Sequence, residues 1–170
     1  ASNLIALAQY ELASQALDHA HSVVATEHIH HVLAQRGHLL EHQGGFVAAE
    51  ERFLEAHQCD PDGDATYLIY AGSVAFQRGD VAQAEGLARS AVKSSEGCID
   101  EAYLNLGGYL LSQRKYSEAR ECYVRALELA PDYELAQERL DDVQRILQAE
   151  GEQHEGEERS SASAALRPSS

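Results

Sequence analysis

Residues 101–131, EAYLNLGGYLLSQRKYSEARECYVRALELAP, set large and small side chains at regular positions. Gly107, Ala119 and Ala126 lie among tyrosines and leucines, where a helix that buried only one face would favour leucine. Small residues at fixed positions indicate that another backbone comes close there. We therefore expect the glycine of a first helix to meet the alanines of a second helix in an antiparallel pair.

The same small residues recur at intervals of 35 residues toward the N-terminus. The glycine column comprises Gly37, Gly72 and Gly107, and the alanine columns comprise Ala49, Ala84 and Ala119, and Ala56, Ala91 and Ala126. Pro131 has a counterpart in Pro61, whereas Glu96 takes this place in the middle copy. A fixed period of this length is the sequence signature of a helical repeat array.

The composition excludes several classes of protein. The 170 residues carry 28 Asp and Glu against 13 Lys and Arg, a formal net charge of −15 that repels a phosphate backbone, so we expect no nucleic-acid partner. No run of about 18 apolar residues is present to cross a membrane. Cys59, Cys98 and Cys122 are too widely spaced for a disulfide framework or a metal knuckle, which favours a reducing, cytoplasmic location.

Apolar periodicity and turn residues predict two helices in each copy. The predicted helices span 30–43 and 47–58, 65–78 and 81–93, and 100–113 and 117–129.

The three columns, with the NLG, YSEA and ALELAP elements of the third copy, resemble the tetratricopeptide repeat family. The resemblance implies an all-α, right-handed helical solenoid of antiparallel helix pairs with a C-terminal capping helix. The sequence departs from the family pattern at Arg36, where an apolar residue is usual, and at Glu96, where proline is usual.

The repeat register predicts the organisation of the whole chain. It comprises an incomplete N-terminal repeat over 1–25 (mainly its second helix), repeats over 30–63, 65–99 and 100–131, a capping helix over 132–150 and a disordered tail over 151–170. Asp132 is expected to cap the last helix. Its apolar face comprises Leu135, Leu140, Val143 and Leu147.

Histidines are the only candidates for chemistry, and five of them fall between His28 and His42. His38 and His42 share one helix face within reach of one metal ion, but no HExxH signature, cysteine pair or carboxylate beyond Glu41 completes a site. If these histidines line a groove, binding becomes pH-sensitive, because imidazole charges at about pH 6.5. There is no GxSxG and no glycine-rich phosphate loop. We expect no metal, no cofactor and no enzymatic activity.

In the family that the sequence resembles, the first helices of successive repeats line a concave groove. Its places are held here by His31, Gln35, His38, His42, Thr66, Tyr70, Ser73, Phe76, Gln77, Glu101, Asn105, Gly108 and Ser112. Asn105 matches an asparagine that in some members bonds the backbone of a bound peptide. Tyr70 is the other residue expected to contact a ligand, whereas Phe76 and Leu111 could instead pack between repeats.

Some members of the family grip the carboxylate end of a chaperone tail with a clamp of Lys, Asn and Arg. Its places hold Ala34, His38, Tyr70, Glu101 and Asn105 here. The cations are missing, so an acidic chaperone tail is expected to be a poor ligand.

We therefore predict a non-catalytic scaffold or adaptor that binds a neutral to basic peptide or helix of a partner protein. Three alternatives stay open: a regulatory or assembly segment of a larger complex or enzyme, a self-associating module that forms a homodimer, and an RNA-binding array, which the acidic charge disfavours.

Overall fold

The computed structural model describes the backbone of residues 2–60 and 63–165, and the side chains of 9–25, 27–60 and 63–151. Helices account for nearly all of this part of the chain, and the described residues form no strand beyond a single bridge between Asp64 and Glu96. The helices are α1 (Ser2–Val23), α2 (Ile29–His42), α3 (Phe46–Cys59), α4 (Ala65–Gln77), α5 (Val81–Ala91), α6 (Ile99–Ser112), α7 (Tyr116–Leu129) and α8 (Glu134–Ala165). None of the described helices is both long enough and apolar enough to cross a membrane.

The helices stack as pairs. Each helix from α1 to α8 packs against the next one in the chain, and α4 also packs against α6. The chain is thus an all-α solenoid, as the sequence predicted, and α2–α3, α4–α5 and α6–α7 are successive helix pairs. The predicted helix ends agree with the observed ends to within two residues for these six helices.

The alanine columns lie where the two helices of each pair come closest. All six alanines are 0% exposed, which confirms that helices come close at these positions. Any larger side chain there would force the paired helices apart.

The glycine column has a different role from the one predicted. A Cβ atom built on Gly37 would lie 2.6 Å from the ring of Phe53, and one on Gly107 would lie 2.5 Å from the ring of Tyr123. These glycines therefore make room for a fully buried aromatic ring of the second helix, not for its alanines. Only Gly72 follows the prediction, with the Ala84 carbonyl oxygen 3.5 Å from the added carbon.

The turns between repeats also contact one another. The Asp64 carboxylate caps α4 by accepting a hydrogen bond from the Thr66 backbone N–H at 2.7 Å, and the Ala65 N–H donates to the Glu96 carbonyl at 3.0 Å. Gly97 has a φ of 94°, and any side chain there would run into the Asp64 carboxylate. The turn after α5 is thereby held against the start of α4.

Ion pairs connect successive repeats. Glu85 of α5 accepts hydrogen bonds from Gln113 (2.7 Å) and Lys115 (2.9 Å) at the turn before α7, and from Arg89 (2.7 Å). One repeat earlier, the equivalent Glu50 is 7% exposed and lies 3.0 Å from Arg78. The two glutamates lie 35 residues apart, at the same place in successive repeats, although the sequence analysis did not single them out.

The two ends of the chain differ from the predictions. α1 is one continuous helix from Ser2, so the expected end of a first helix is wrong for the described residues. Arg36 replaces an apolar residue because its guanidinium pairs with Asp18 of α1.

At the other end, α8 begins at Glu134, and the Gln137 N–H bonds the Tyr133 carbonyl, so Tyr133 and not Asp132 holds the N-cap position.

The helix α8 also continues beyond its predicted end at Glu150 to Ala165. The expected disorder from Gly151 onward is therefore wrong for the backbone of residues 151–165, where Glu, Gln and Ala favour a helix. Residues 166–170, like Pro61, lie outside the described residues.

The glycine column gives a stability test with an internal control. We expect Gly37→Ala and Gly107→Ala to lower the free energy of unfolding by about 1–3 kcal/mol, because the added methyl group overlaps a buried ring. Gly72→Ala should be neutral or stabilising by about 0.5 kcal/mol, because its space is ordinary and alanine favours a helix. Urea unfolding of the three variants measures this. Equal effects at all three positions would contradict the assigned ring contacts.

The Glu85 cluster predicts a pH dependence of stability. The hydrogen bonds from Gln113, Lys115 and Arg89 lower the pKa of Glu85 to about 2 from 4.5. A lowered folded-state pKa contributes stability above about pH 4.5 that is lost as the pH falls toward 2. We expect Glu85→Gln to cost about 2 kcal/mol at pH 7, and the difference from the unsubstituted protein to disappear near pH 2. Glu121→Gln, an exposed carboxylate on α7, is the control in urea unfolding at both pH values.

Candidate functional site

The first helices α2, α4 and α6 carry all thirteen predicted groove residues, and the structure divides them into separate groups. Five of them line one cleft, which α8 completes. Those five are Ser73, Phe76, Gln77, Asn105 and Gly108.

This cleft has a volume of about 380 Å³ and mainly apolar walls. Phe76 is 39% exposed, and Leu135 of α8 is 41% exposed across from it. Leu111 lines the same cleft, so it is not simply packed between repeats. The Phe76 ring does contact the ring of Tyr109 of the next repeat, with 4.9 Å between centroids. Phe76 thus both joins two repeats and presents apolar surface to the cleft.

Polar groups in the cleft are few and placed among these walls. The Tyr123 side chain is 0% exposed, and its hydroxyl group has no hydrogen-bond partner among the described residues. Burial raises the pKa of Tyr123 to about 12, so its hydroxyl stays a neutral donor. Asn105 adds an amide, and Arg139 of α8 adds a guanidinium. Tyr123 thus contributes to the cleft wall while its hydroxyl group is buried and unpaired.

A second group of predicted residues packs with the core in the first two repeats. The Tyr70 ring lies 4.6 Å from the His38 ring and 5.3 Å from the Phe53 ring, measured between centroids. His38 also lies 3.5 Å from the Glu41 carboxylate. Tyr70 and His38 are therefore half-buried supports of Phe53 with only part of their surface open.

The remaining predicted residues do not join either group. His31 lines a separate recess at the start of α2, with its Nδ1 3.2 Å from the Tyr67 hydroxyl. Gln77 of the cleft donates a hydrogen bond of 2.7 Å to Glu41. Burial, and then the Asp100 carboxylate, raise the pKa of Glu101. Gln35, His42, Thr66 and Ser112 line neither the cleft nor the recess.

Sequence reasoning missed the contribution of α8. Leu135 was expected on the buried face of the capping helix, but it opens into the cleft, while Leu140 and Val143 are buried. Arg139 was not considered. Only the packing of α8 against α7 decides which of its residues face the cleft, and no local signal encodes it.

The histidines between His28 and His42 are the candidate metal ligands in the sequence. Across residues 9–25, 27–60 and 63–151, no three His, Cys, Asp or Glu side chains are placed to hold a metal ion. The three cysteines are unpaired, with Cys59 and Cys98 exposed and Cys122 buried.

Known proteins show the same repeat. The tetratricopeptide repeat model matches residues 100–133. Human tetratricopeptide repeat protein 7A is 33% identical over 100 residues, which are 59% of this chain and 11% of that protein. The mouse protein O-mannosyl-transferase TMTC1 is 30% identical over 112 residues, 62% of this chain and 11% of that protein. The chain thus spans about a tenth of the length of these relatives.

Solved structures share the fold. The first TPR domain of human RPAP3 superposes with a TM-score of 0.66 at 25% identity, covering 74% of this chain and 98% of that domain. The first TPR of Spaghetti (RPAP3), bound to the HSP90 peptide SRMEEVD, gives a TM-score of 0.64 at 25% identity, covering 71% of this chain and 94% of that one.

Proposed function

This chain is a tetratricopeptide repeat protein, and we propose that it is a non-catalytic scaffold that binds a segment of a partner protein in the groove along α2, α4 and α6. The observation that carries the proposal is the cleft between α4, α6 and α8. Apolar side chains stand open to solvent there, next to a buried hydroxyl group that lacks a partner.

The cleft suits an apolar side chain of an extended or helical segment. Its volume of about 380 Å³ is large enough for a leucine or phenylalanine side chain. Burying such a group contributes about 1.5–3 kcal/mol. Asn105 is then available to bond the polar backbone that accompanies it, and Tyr123 lies in the same cleft wall.

The charge of the groove argues against an acidic partner segment. The first TPR of Spaghetti binds the acidic peptide SRMEEVD. Of the five clamp places in this chain, none holds a cation, and Glu101 is a half-buried carboxylate. Arg139 is the cation of the cleft, and it lies 3.9 Å from Asp142. A neutral to basic segment therefore fits better than an acidic tail.

Two other roles are kept as alternatives. Because TMTC1 is a transferase by name and this chain matches 11% of it, the array could be an assembly or regulatory segment of a longer enzyme or complex. A self-associating module is the other, and sizing chromatography at several concentrations would show a dimer. The unpaired cysteines support a reducing, cytoplasmic setting.

The cleft can be tested with a double variant. We expect Phe76→Ala/Leu135→Ala to reduce partner capture at least about tenfold, because both apolar walls are lost. The matched control is Leu12→Ala/Val47→Ala. It removes two apolar side chains outside the cleft, Leu12 at 65% and Val47 at 56% exposure. Quantitative mass spectrometry of proteins captured on the three baits measures this. The proposal would be contradicted if the cleft variant captured the same partner proteins as well as the control variant does.

A second variant separates binding from folding at the same place. Tyr123→Phe removes only the unpaired hydroxyl group and restores the residue type found at Phe53 in the first repeat. We expect unchanged or slightly higher thermal stability, together with weaker capture of the same partners. Tyr70→Ala is unsuitable for this purpose, because the Tyr70 ring supports Phe53.

The partner charge has its own test. Titration of the peptide SRMEEVD into this chain should give only the heat of dilution, because the clamp cations are absent. The first TPR of Spaghetti serves as the positive control in the same calorimeter. Saturable binding of SRMEEVD to this chain would show that the groove accepts acidic tails.

A further inference from the structure

A recess of about 770 Å³ lies at the edge of the solenoid where α2 and α4 begin. The turn before α2, the turn before α4 and the turn after α5 form its walls, and the bridge between Asp64 and Glu96 holds the last two side by side. The cleft described above lies near the other end of α4. Only His31 of the predicted groove residues reaches the recess.

The recess is lined by negative charge. Four carboxylates contribute to its walls, and no lysine or arginine does. The four are Glu27, Asp60, Asp64 and Glu96. Asp64 is engaged as the cap of α4, Asp60 accepts a hydrogen bond of 2.6 Å from the Asp64 backbone N–H, and Glu27 lies 3.6 Å from His28. Carboxylates of one sign in a concave surface attract a cationic group and hold it against solvent.

A buried imidazole in the wall lacks a hydrogen-bond partner. His30 is 7% exposed, and its Nδ1 atom is buried without any partner among the described residues. The His30 ring packs against His31 and Tyr67, with 4.0 Å and 5.8 Å between centroids. An unpaired buried nitrogen costs free energy that a hydrogen-bonding ligand recovers. This is an observation independent of the carboxylates, and it indicates a ligand that carries a hydrogen-bonding group.

We propose that this recess binds an arginine side chain of a partner segment. A guanidinium group carries five N–H donors in a plane, pairs with carboxylates in a bidentate manner and stacks on flat rings. The recess offers carboxylates together with the rings of His28 and His31, whose planes are 15° apart. The Tyr67 hydroxyl adds a neutral oxygen, since burial, then Asp60 and Asp64, raise its pKa to about 12. A metal ion is a poorer occupant, because the described residues include no three ligands with suitable geometry.

The inference rests on the proposed function in one respect: the partner segment that binds along the groove is the segment that would present the arginine. The recess itself can be tested without that partner. The probe is N-acetyl-arginine amide, and its uncharged analogue N-acetyl-citrulline amide is the matched control ligand. Nitrogen-15 NMR of the full chain at pH 7 follows the titration.

We expect N-acetyl-arginine amide to shift the backbone amide signals of residues 27–31 and 95–97, and N-acetyl-citrulline amide to leave them in place. Glu27→Gln/Glu96→Gln should weaken this binding at least about fivefold, because it neutralises two exposed carboxylates of the recess. Glu51→Gln/Glu121→Gln changes the net charge equally on α3 and α7 and should alter the affinity less than about twofold. His30→Phe keeps a flat ring without nitrogens and should also weaken binding.

Other outcomes overturn the proposal. They are the absence of shifts at saturating concentrations of the arginine probe, equal shifts with the citrulline probe, or equal losses in the two glutamate variants. The cleft variant Phe76→Ala/Leu135→Ala should bind N-acetyl-arginine amide normally. The two proposals can therefore fail independently: arginine binding tests the recess, and partner capture tests the groove.

Discussion

The structure depends on the contact between a glycine of the first helix and an aromatic ring of the second. Phe53 and Tyr123 are fully buried, and each lies where a Cβ on Gly37 or Gly107 would have to be. Since the ring fills the space left by the missing side chain, the two helices of a pair are fixed both in distance and in sliding position. The buried alanines close the rest of the contact. The first and third pairs share this arrangement.

The middle repeat lacks this contact and depends on its neighbours instead. Ala88 stands where the other repeats have Phe53 and Tyr123, and the space beside Gly72 is bordered by Leu87 and by the Tyr109 hydroxyl of the next repeat. The Phe76 ring packs on Tyr109 as well. In a linear array, stability is the sum of each repeat and its contacts with adjacent repeats. The cleft therefore lies where the second repeat takes its support from the third, and its shape follows from that contact.

The sequence was sufficient to predict the structural features that repeat along the chain and those that depend on neighbouring residues. Helix ends, the buried alanines and the closeness at the glycines all follow from residue type and a constant period of 35. The contact partner of Gly37 and Gly107 was predicted wrongly. The rings of Phe53 and Tyr123 need more space beside a glycine than the alanines of the column that contains Ala84. The acidic recess was not predicted, since the bridge from Asp64 to Glu96 joins turns that are 32 residues apart. The groove residues were predicted as one surface, but packing among His38, Tyr70 and Phe53 removes part of it.

The use of the cations explains how an acidic chain has both ion-paired repeats and an acidic surface. Several of its few basic side chains join one helix pair to the next: Arg36 to Asp18, Arg78 to Glu50, Arg89 to Glu118 and Lys115 to Glu85. These pairs stabilise the stacking of repeats, because each bridges elements that are distant in sequence. They also neutralise the basic groups internally, so the carboxylates left over dominate the surface. Under the proposed function, this surrounding charge favours a partner segment of opposite sign.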